Sequence, residues 1–360
     1  MALKYIIYIK DVLKVEKNKN EYLYKIVSKY GQNPISYHVL EDDKKHFFVE
    51  GIEGVIAYAV VREVAVVSGD IIAPKEQAAE LLSAFIAFTK KNDYSILFLN
   101  TTNKFLELYK SFGFESIKYG EEALFKLADY NLKGGKVAKV RAAINHANKA
   151  GIEVSEYKPK EKRDSELENE ILELSRQWLK IKKGGEIKFS LGSIGLENPY
   201  DRRYFTAKSN EGKLLGFVVF IPYADKNGYL AEITRRLPDA PQGVIEKIIY
   251  DAFMSFKSEG AEWGSLGLNP LVNVREDDIK NKLTTRIFEY IYENMNYFYG
   301  FKNLYHAKKK YAPTDWEARY LVYYPKRFTP QHAYALLKVK KPKILKNYIL
   351  PMLKKGFISN

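Results

Sequence analysis

The sequence predicts an α/β (α+β) chain whose two halves repeat one order of elements: strand, strand, helix, strand, helix, strand. Three observations carry this reading. Short β-branched and apolar runs alternate with stretches whose apolar residues recur at helical spacing. A basic, acid-free segment bounded by glycines, residues 133–151, separates the halves. Hydrophobic residues make up 46% of 360 positions, enough for two ordinary cores.

In the first half, residues 54–61 and 63–68 read as paired strands. A helix over 75–91 follows, with Ala79, Leu82, Phe85 and Ile86 on one face. Then come a strand over 95–100, a helix over 104–112, and strands around 114–119 and 123–127. In the second half, 213–222 and 228–234 read as strands. Val244, Ile245, Ile248, Ile249, Ala252, Phe253 and Phe256 mark a helix face, 263–268 is a strand, 279–294 a helix and 320–324 the closing strand. This order is the core of an acyltransferase fold of the GCN5-related N-acetyltransferase type. The expected division is 1–128 as a first acyltransferase-like domain, 129–160 as a basic connecting helix, 161–330 as a second, catalytic domain, and 331–360 as a Lys-rich tail.

The connecting segment carries Lys133, Lys136, Lys139, Arg141 and Lys149, with Val137, Val140, Ala143, Ile144 and Ala147 as its apolar side. It reads either as a solvated linker helix or as a helix laid along a phosphate backbone. The tail has seven lysines and no acid. Docking on the domain is the favoured reading, with contact to an anionic bilayer the other.

Composition narrows the chemistry. There is no cysteine, which excludes disulfides, thiolate nucleophiles and Cys-ligated zinc. The five histidines, His38, His46, His146, His306 and His332, show no metal-ligand spacing, so no metal is expected. No GxSxG elbow or Walker sequence is present. The net charge of +14 favours a polyanionic partner, nucleic acid or anionic membrane, alongside plain solubility. The start, residues 3–13, is interrupted by Lys10 and Asp11 and is too short for a secretory signal or a membrane span. A soluble chain is therefore expected, either an excised domain or a stand-alone form.

Residues 229–270 hold the densest cluster of candidate groups. A strand runs into Arg235 and Arg236, a Pro/Gly turn with Asp239 opens a helix, and the helix start is a potential anion site. Strict alternation puts Glu232 and Thr234 on one strand face and Arg235 on the other, unless a bulge intervenes. Farther on, residues 304–324 bring Lys308, Lys309 and Lys310, then Trp316, Glu317, Arg319 and Tyr320.

At these residues the chain resembles a known family. Glu-Ile-Thr-Arg (232–235), Pro-Asp-Ala-Pro-Gln-Gly (238–243), Phe-Lys-Asn-Leu (301–304), Lys-x-Lys-Tyr-x-Pro (308–313), Trp-Glu-x-Arg-Tyr-Leu (316–321), the Gly-Lys-Val-Ala-Lys-Val-Arg run (135–141) and Phe-Ser-Leu-Gly (189–192) look like the cytosolic catalytic region of the bacterial lysyl- and alanyl-phosphatidylglycerol synthases, the multiple peptide resistance factor family. The resemblance covers nearly the whole chain. It departs from the family at Glu232, where an Asp is usual, at Gly69 to Ala73, and at Leu266 to Val272.

The resemblance implies two tandem acyltransferase-like domains, normally behind a membrane flippase domain, at the inner face of the cell membrane. It implies transfer of lysine or alanine from aminoacyl-tRNA, a co-substrate that leaves no need for a cofactor, to phosphatidylglycerol. The membrane then loses negative charge and binds cationic antimicrobial peptides less well. By position it assigns catalytic roles to Glu232, Arg235 and Lys308. Arg236, Asp239, Lys310, Glu317 and Arg319 are expected to bind substrate, and Lys136, Lys139 and Arg141 to hold the tRNA. Glu232 would bind the substrate α-ammonium in preference to acting as base, since a carboxylate beside Arg235 stays ionised. Other readings are tRNA-dependent transfer to a cell-wall precursor or peptide, acetyl-CoA-dependent N-acetylation, and a binding module without turnover. The single glycine of the 238–244 turn speaks against coenzyme A.

Overall fold

Strand parity organises the first half. The computed structural model describes residues 19–181, 189, 191–270, 272, 274 and 301–340. It opens with α1 (Lys19–Tyr30) and a 3-10 turn (Ser36–Leu40), then β1 (Lys45–Phe47), β2 (Ile56–Val61) and β3 (Val64–Ser68). Next come α2 (Ala78–Lys91), β4 (Ser95–Thr101), α3 (Leu106–Ser111) and β5 (Glu115–Lys126). Ala65, Val67, Ile96 and Phe98 point to a core under α2, where Leu81, Leu82 and Phe85 are buried. Their neighbours Val64, Val66, Leu97 and Leu99 point to the opposite face. A strand buried on both faces needs this continuous apolar run, and β3 and β4 are the parallel pair.

The second half begins with α4 (Ala138–Lys149), β6 (Glu153–Tyr157) and α5 (Ser165–Ile181). It continues with β7 (Arg203–Lys208), β8 (Leu214–Tyr223), β9 (Gly228–Arg236), α6 (Val244–Ser258) and β10 (Trp263–Pro270), then α7 (Phe301–Lys309), β11 (Asp315–Tyr324) and α8 (Pro330–Lys340). On α6, Val244, Ile248, Ile249, Ala252, Phe253 and Phe256 are buried, as the periodicity predicts. Phe256 meets Phe205 and Phe220 edge-on, at 5.5 and 5.1 Å between centroids. Each such fully buried ring contributes roughly 1.5–3 kcal/mol.

The eleven strands of the described residues form one sheet, in the order β1-β2-β3-β4-β11-β5-β10-β9-β8-β7-β6. The closing strands are exchanged between the halves. β11, from the end of the second half, pairs with β4, while β5, from the end of the first, pairs with β10, and the two pair with each other. Linear order alone does not reveal this exchange. Each half keeps the strand, strand, helix, strand core of the tandem acyltransferase-like arrangement.

Several expectations change in detail. The strands expected at 114–119 and 123–127 are one continuous strand, β5, because Gly120, Glu121 and Glu122 stay paired with both β11 and β10; a Cβ at Gly120 would stand 2.3 Å from Asn269 O. β11 begins at Asp315, five residues before the expected start. Residues 129–160 hold β6 as well as the helix, and β6 is the outer strand beside β7. The helix expected over 279–294 lies outside the described residues. So does the tail beyond 340, but its first part, α8, packs down, burying Ala333, Ala335, Leu336, Leu337 and Val339 against the β3–β4 face.

Candidate active site

Each half holds one parallel strand pair, and the two pairs end differently. In the first half, β3 and β4 stay paired through Ser68 and Leu99. Beyond them the gap is stitched shut. Gly69 N–H donates to Leu99 O at 2.9 Å, and the buried Asp70 carboxylate accepts from Thr102 N–H and Oγ1 at 2.9 Å each and from Asn33 Nδ2 at 2.8 Å. Burial pushes the Asp70 carboxyl up, against those hydrogen bonds and the more distant Arg319.

In the second half, β9 and β10 pair only from Gly228 and Trp263 to Leu230 and Ser265, and then part. A bulge follows on each strand. On β9 the register with β8 jumps from Ala231 opposite Phe220 to Ile233 opposite Val219, leaving Glu232 as the extra residue. On β10 the register with β5 jumps between Ser265 and Leu268, with Gly267 at φ +77°. A left-handed residue at a bulge favours glycine.

Glu232 is buried, and two groups meet its Oε1: His38 Nε2 at 2.8 Å and Gly192 N at 2.5 Å. An ionised carboxylate only accepts, so both nitrogens donate. Burial alone would raise this carboxyl's pKa. The His38 ring, the Gly192 amide and Arg202 outweigh burial and hold it below the usual range. The loop carrying Gly192 is itself pinned by first-half acids. Phe189 N–H donates to Asp43 at 2.9 Å and Ser193 N–H to Glu41 at 3.0 Å, while Arg202 also reaches Glu41 at 2.7 Å.

Across the opening, Lys308 extends from α7 to the β10 bulge, donating to Gly267 O at 3.0 Å and Leu268 O at 2.9 Å. Desolvation pushes its ammonium down to about 7, against the pull of Glu122 and Glu232. The bulge is braced from behind. Ser265 Oγ accepts from Gly267 N–H at 2.9 Å and donates to Glu122 Oε1 at 2.5 Å, and Arg319 grips the other Glu122 oxygen through Nε at 2.9 Å and Nη2 at 2.7 Å.

Glu232 and Lys308 thus come together where β9 and β10 part, near enough for the carboxylate to raise the lysine's proton affinity. The other expected residues are placed elsewhere or hold the frame. Arg235 is buried with its guanidinium 4.0 Å from the Trp178 ring centroid of α5, and Nη1 donates to Thr234 O at 3.1 Å. Arg236 is exposed and folds onto Ala240 O at 3.2 Å. Asp239 lies on the surface near Lys213, and Lys310 is tied to Glu246 of α6 at 2.5 Å. Arg319 is 1% exposed, and the half-buried Glu317 bridges it to Lys226.

Strict alternation along β9 also fails, because the bulge buries Glu232 and Ile233 in succession. The α6 start packs against α4. Its Gly243, at φ +98°, lies so close to α4 that a Cβ would stand 1.9 Å from Ala143 O, and His146 Nδ1 approaches Gln242 O at 3.2 Å. On α4, Lys136 and Lys139 flank the helix start exposed, whereas Arg141 holds the preceding loop by donating to Leu132 O and Gly134 O.

Sequence reasoning missed His38, Glu122, Ser265 and Trp178. A histidine followed by the acidic run Glu41–Asp43 was the available signal for the first. For the others only the three-dimensional pairing carries the information.

Among the described residues no helix is long and apolar enough to cross a membrane. Residues 24–323 match the family model described as phosphatidylglycerol lysyltransferase, C-terminal. The chain is 28% identical over 316 residues to a phosphatidylglycerol lysyltransferase of Staphylococcus haemolyticus, covering 88% of this chain and 36% of that protein. It is 27% identical over 301 residues to one of Staphylococcus aureus, covering 83% and 35%. The chain therefore spans about a third of the length of these curated relatives. Among solved structures, L-PGS from Bacillus licheniformis superposes with a TM-score of 0.76 at 26% identity, covering 89% of this chain and 94% of that one. The C-terminal domain of a putative lysylphosphatidylglycerol synthetase from Agrobacterium fabrum gives 0.75 at 23% identity, covering 91% and 96%, a likeness of fold.

Proposed function

Because the chain belongs to the phosphatidylglycerol lysyltransferase C-terminal family, we propose that it transfers an aminoacyl group, lysine or alanine, from charged tRNA to a hydroxyl of phosphatidylglycerol. The observation that carries this reading is the opening between β9 and β10, where a low-pKa carboxylate faces a desolvated lysine.

The reaction is ester exchange and needs no ATP or cofactor. The lipid hydroxyl attacks the aminoacyl carbonyl, a tetrahedral oxyanion forms, and the terminal tRNA oxygen leaves with a proton. Glu232 is a poor base because it stays ionised. Its Oε1 is taken by His38 and Gly192, and its second oxygen suits the α-ammonium of the amino acid. Lys308, balanced near neutrality, fits the proton transfer at the attacking or leaving oxygen. Arg235, its guanidinium stacked on the Trp178 ring, supplies a fixed positive charge near the end of β9.

Lys136 and Lys139 on α4 would meet the tRNA backbone, and the acceptor would come from the inner face of the cell membrane. The greater length of the relatives accords with an accompanying membrane flippase domain. Lysyl or alanyl transfer lowers the negative charge of the lipid and weakens the binding of cationic antimicrobial peptides.

The test is direct. The protein is incubated with phosphatidylglycerol vesicles and each radiolabelled aminoacyl-tRNA in turn, with a cell-wall precursor as a parallel acceptor. Label in lipid from lysyl- or alanyl-tRNA is expected. Label only in the precursor, or none in either, refutes the reading.

A further inference from the structure

We propose that Ser265 and Glu122 are positioning residues for Lys308, the Arg319–Glu122–Ser265 chain fixing the Gly267 bulge whose two carbonyls hold the lysine ammonium. The inference rests on the proposed aminoacyl transfer for its functional meaning, but its geometry stands independently.

A bulge frees backbone groups from the ladder, and a carbonyl turned out of the sheet must find a donor. Here two successive carbonyls, Gly267 O and Leu268 O, turn toward one ammonium. What keeps the bulge in this shape is the serine two residues back. Its hydroxyl takes the Gly267 N–H, the group that would otherwise be left unpaired. Its own proton goes to Glu122, which accepts it at 2.5 Å, and that bond fixes the direction in which the hydroxyl's lone pairs point. Glu122 is in turn held by two donors of Arg319, Nε at 2.9 Å and Nη2 at 2.7 Å.

Ser265 is fully buried, Arg319 is 1% exposed and Glu122 2%. A chain so enclosed has few alternative arrangements, because each member has its partner and water cannot substitute. The chain also joins three strands, β10, β5 and β11, so it ties the exchanged closing strands to the site. Among the described residues, the charged groups near the lysine are Glu122 on β5 and Glu232 on β9 with His38 behind it, and Arg319 and Glu317 of β11 lie beyond Glu122. Of these, Glu122 and Glu232 act on Lys308 directly by raising its proton affinity.

The decisive measurement is the titration of Lys308 itself, followed by NMR of ¹³C-methylated lysines in the whole protein, with Lys308→Arg assigning the resonance. In Ser265→Ala the bulge loosens, the ammonium loses acceptors that favour its charged form, and the midpoint falls. Ser265→Cys fills the same volume with a poor acceptor and should shift the midpoint the same way, which keeps the test available if the alanine variant does not fold. Ser265→Thr keeps the hydroxyl and should restore the wild-type midpoint. In transfer assays the alanine variant should lose kcat by roughly a hundredfold, the scale of a 1 Å misplacement, with KM little changed. An unchanged or raised midpoint in a folded Ser265→Ala or Ser265→Cys protein overturns the proposal. Should the wild type transfer nothing, the proposed function falls, while the titration still decides the role of Ser265.

Discussion

His38 and Glu232, 194 residues apart in sequence, meet at 2.8 Å inside the protein. The histidine belongs to the first half and the glutamate to the second, so the candidate site is shared between them. Glu232 is held below its ordinary pKa of 4.5. A carboxylate depressed in the folded state contributes stability above its unfolded pKa, and that contribution is lost as pH falls through the folded value. Glu232→Gln should therefore be less stable than wild type near pH 7, and the gap should close as pH drops below about 4.5. Urea unfolding at a series of pH values measures it. A gap that stays constant down to acid would show that the interaction is not ionic.

The Glu122–Arg319 pair is buried on both sides, at 2.7 Å. Such a pair is costly to break and inexpensive to replace. Arg319→Met alone strands an uncompensated carboxylate and should lose about 3–5 kcal/mol. Adding Glu122→Leu should recover most of that stability but not aminoacyl transfer, since the brace on the β10 bulge is gone. Thermal or urea unfolding of the two variants, beside the transfer assay, separates the structural from the functional share. Equal losses in the single and double variants would contradict this account.

The periodic elements were legible in the sequence because their signal is local. The buried face of α6, from Val244 to Phe256, and that of α4, from Val140 to Ala147, follow directly from helical spacing. Glu232 and Lys308 were legible only through the family resemblance. The bulges at Glu232 and Gly267 were not, because a bulge is a mismatch between two strands and no single strand encodes it. The exchange of β5 and β11 is hidden for the same reason. Both strands carry ordinary apolar patterns, and partner choice is decided by long-range contacts such as Arg319 to Glu122. The packing of the helix start against α4 at Gly243 was hidden for the same reason, since it is a contact between elements distant in sequence.

Two other histidines set the acid response of the fold. His46 and His332 are desolvated, and each is pushed down to about 4. An unfolded histidine takes its proton near 6.5, so below that pH the unfolded chain binds more protons than the folded one. Stability should therefore fall as pH drops from about 6.5 to 4, and the loss due to these histidines should level off below that window. A His46→Gln/His332→Gln protein should show a flatter profile of Tm against pH across it. An identical slope in variant and wild type would place the acid sensitivity elsewhere.

The basic helix offers a test in which neighbouring residues should behave differently. Lys136 and Lys139 are exposed, whereas Arg141 donates to the carbonyls of Leu132 and Gly134 and so closes the loop that starts α4. If tRNA lies along this helix, Lys136→Ala and Lys139→Ala should each weaken binding. Each should also lower the slope of log affinity against log salt by about 0.7–0.9, the signature of one lost phosphate contact. Neither should change the unfolding midpoint. Arg141→Ala should instead reduce stability by about 0.5–1.5 kcal/mol, the net worth of a hydrogen bond whose acceptors water can still reach. The Ala143–Gly243 contact ties α4 to the start of α6, so loosening the loop should also reach the far side of the site and lower kcat. Filter binding of aminoacyl-tRNA over a salt series, with unfolding of the same proteins, reads both quantities. Lysine variants that leave the salt slope untouched would remove α4 from the tRNA path.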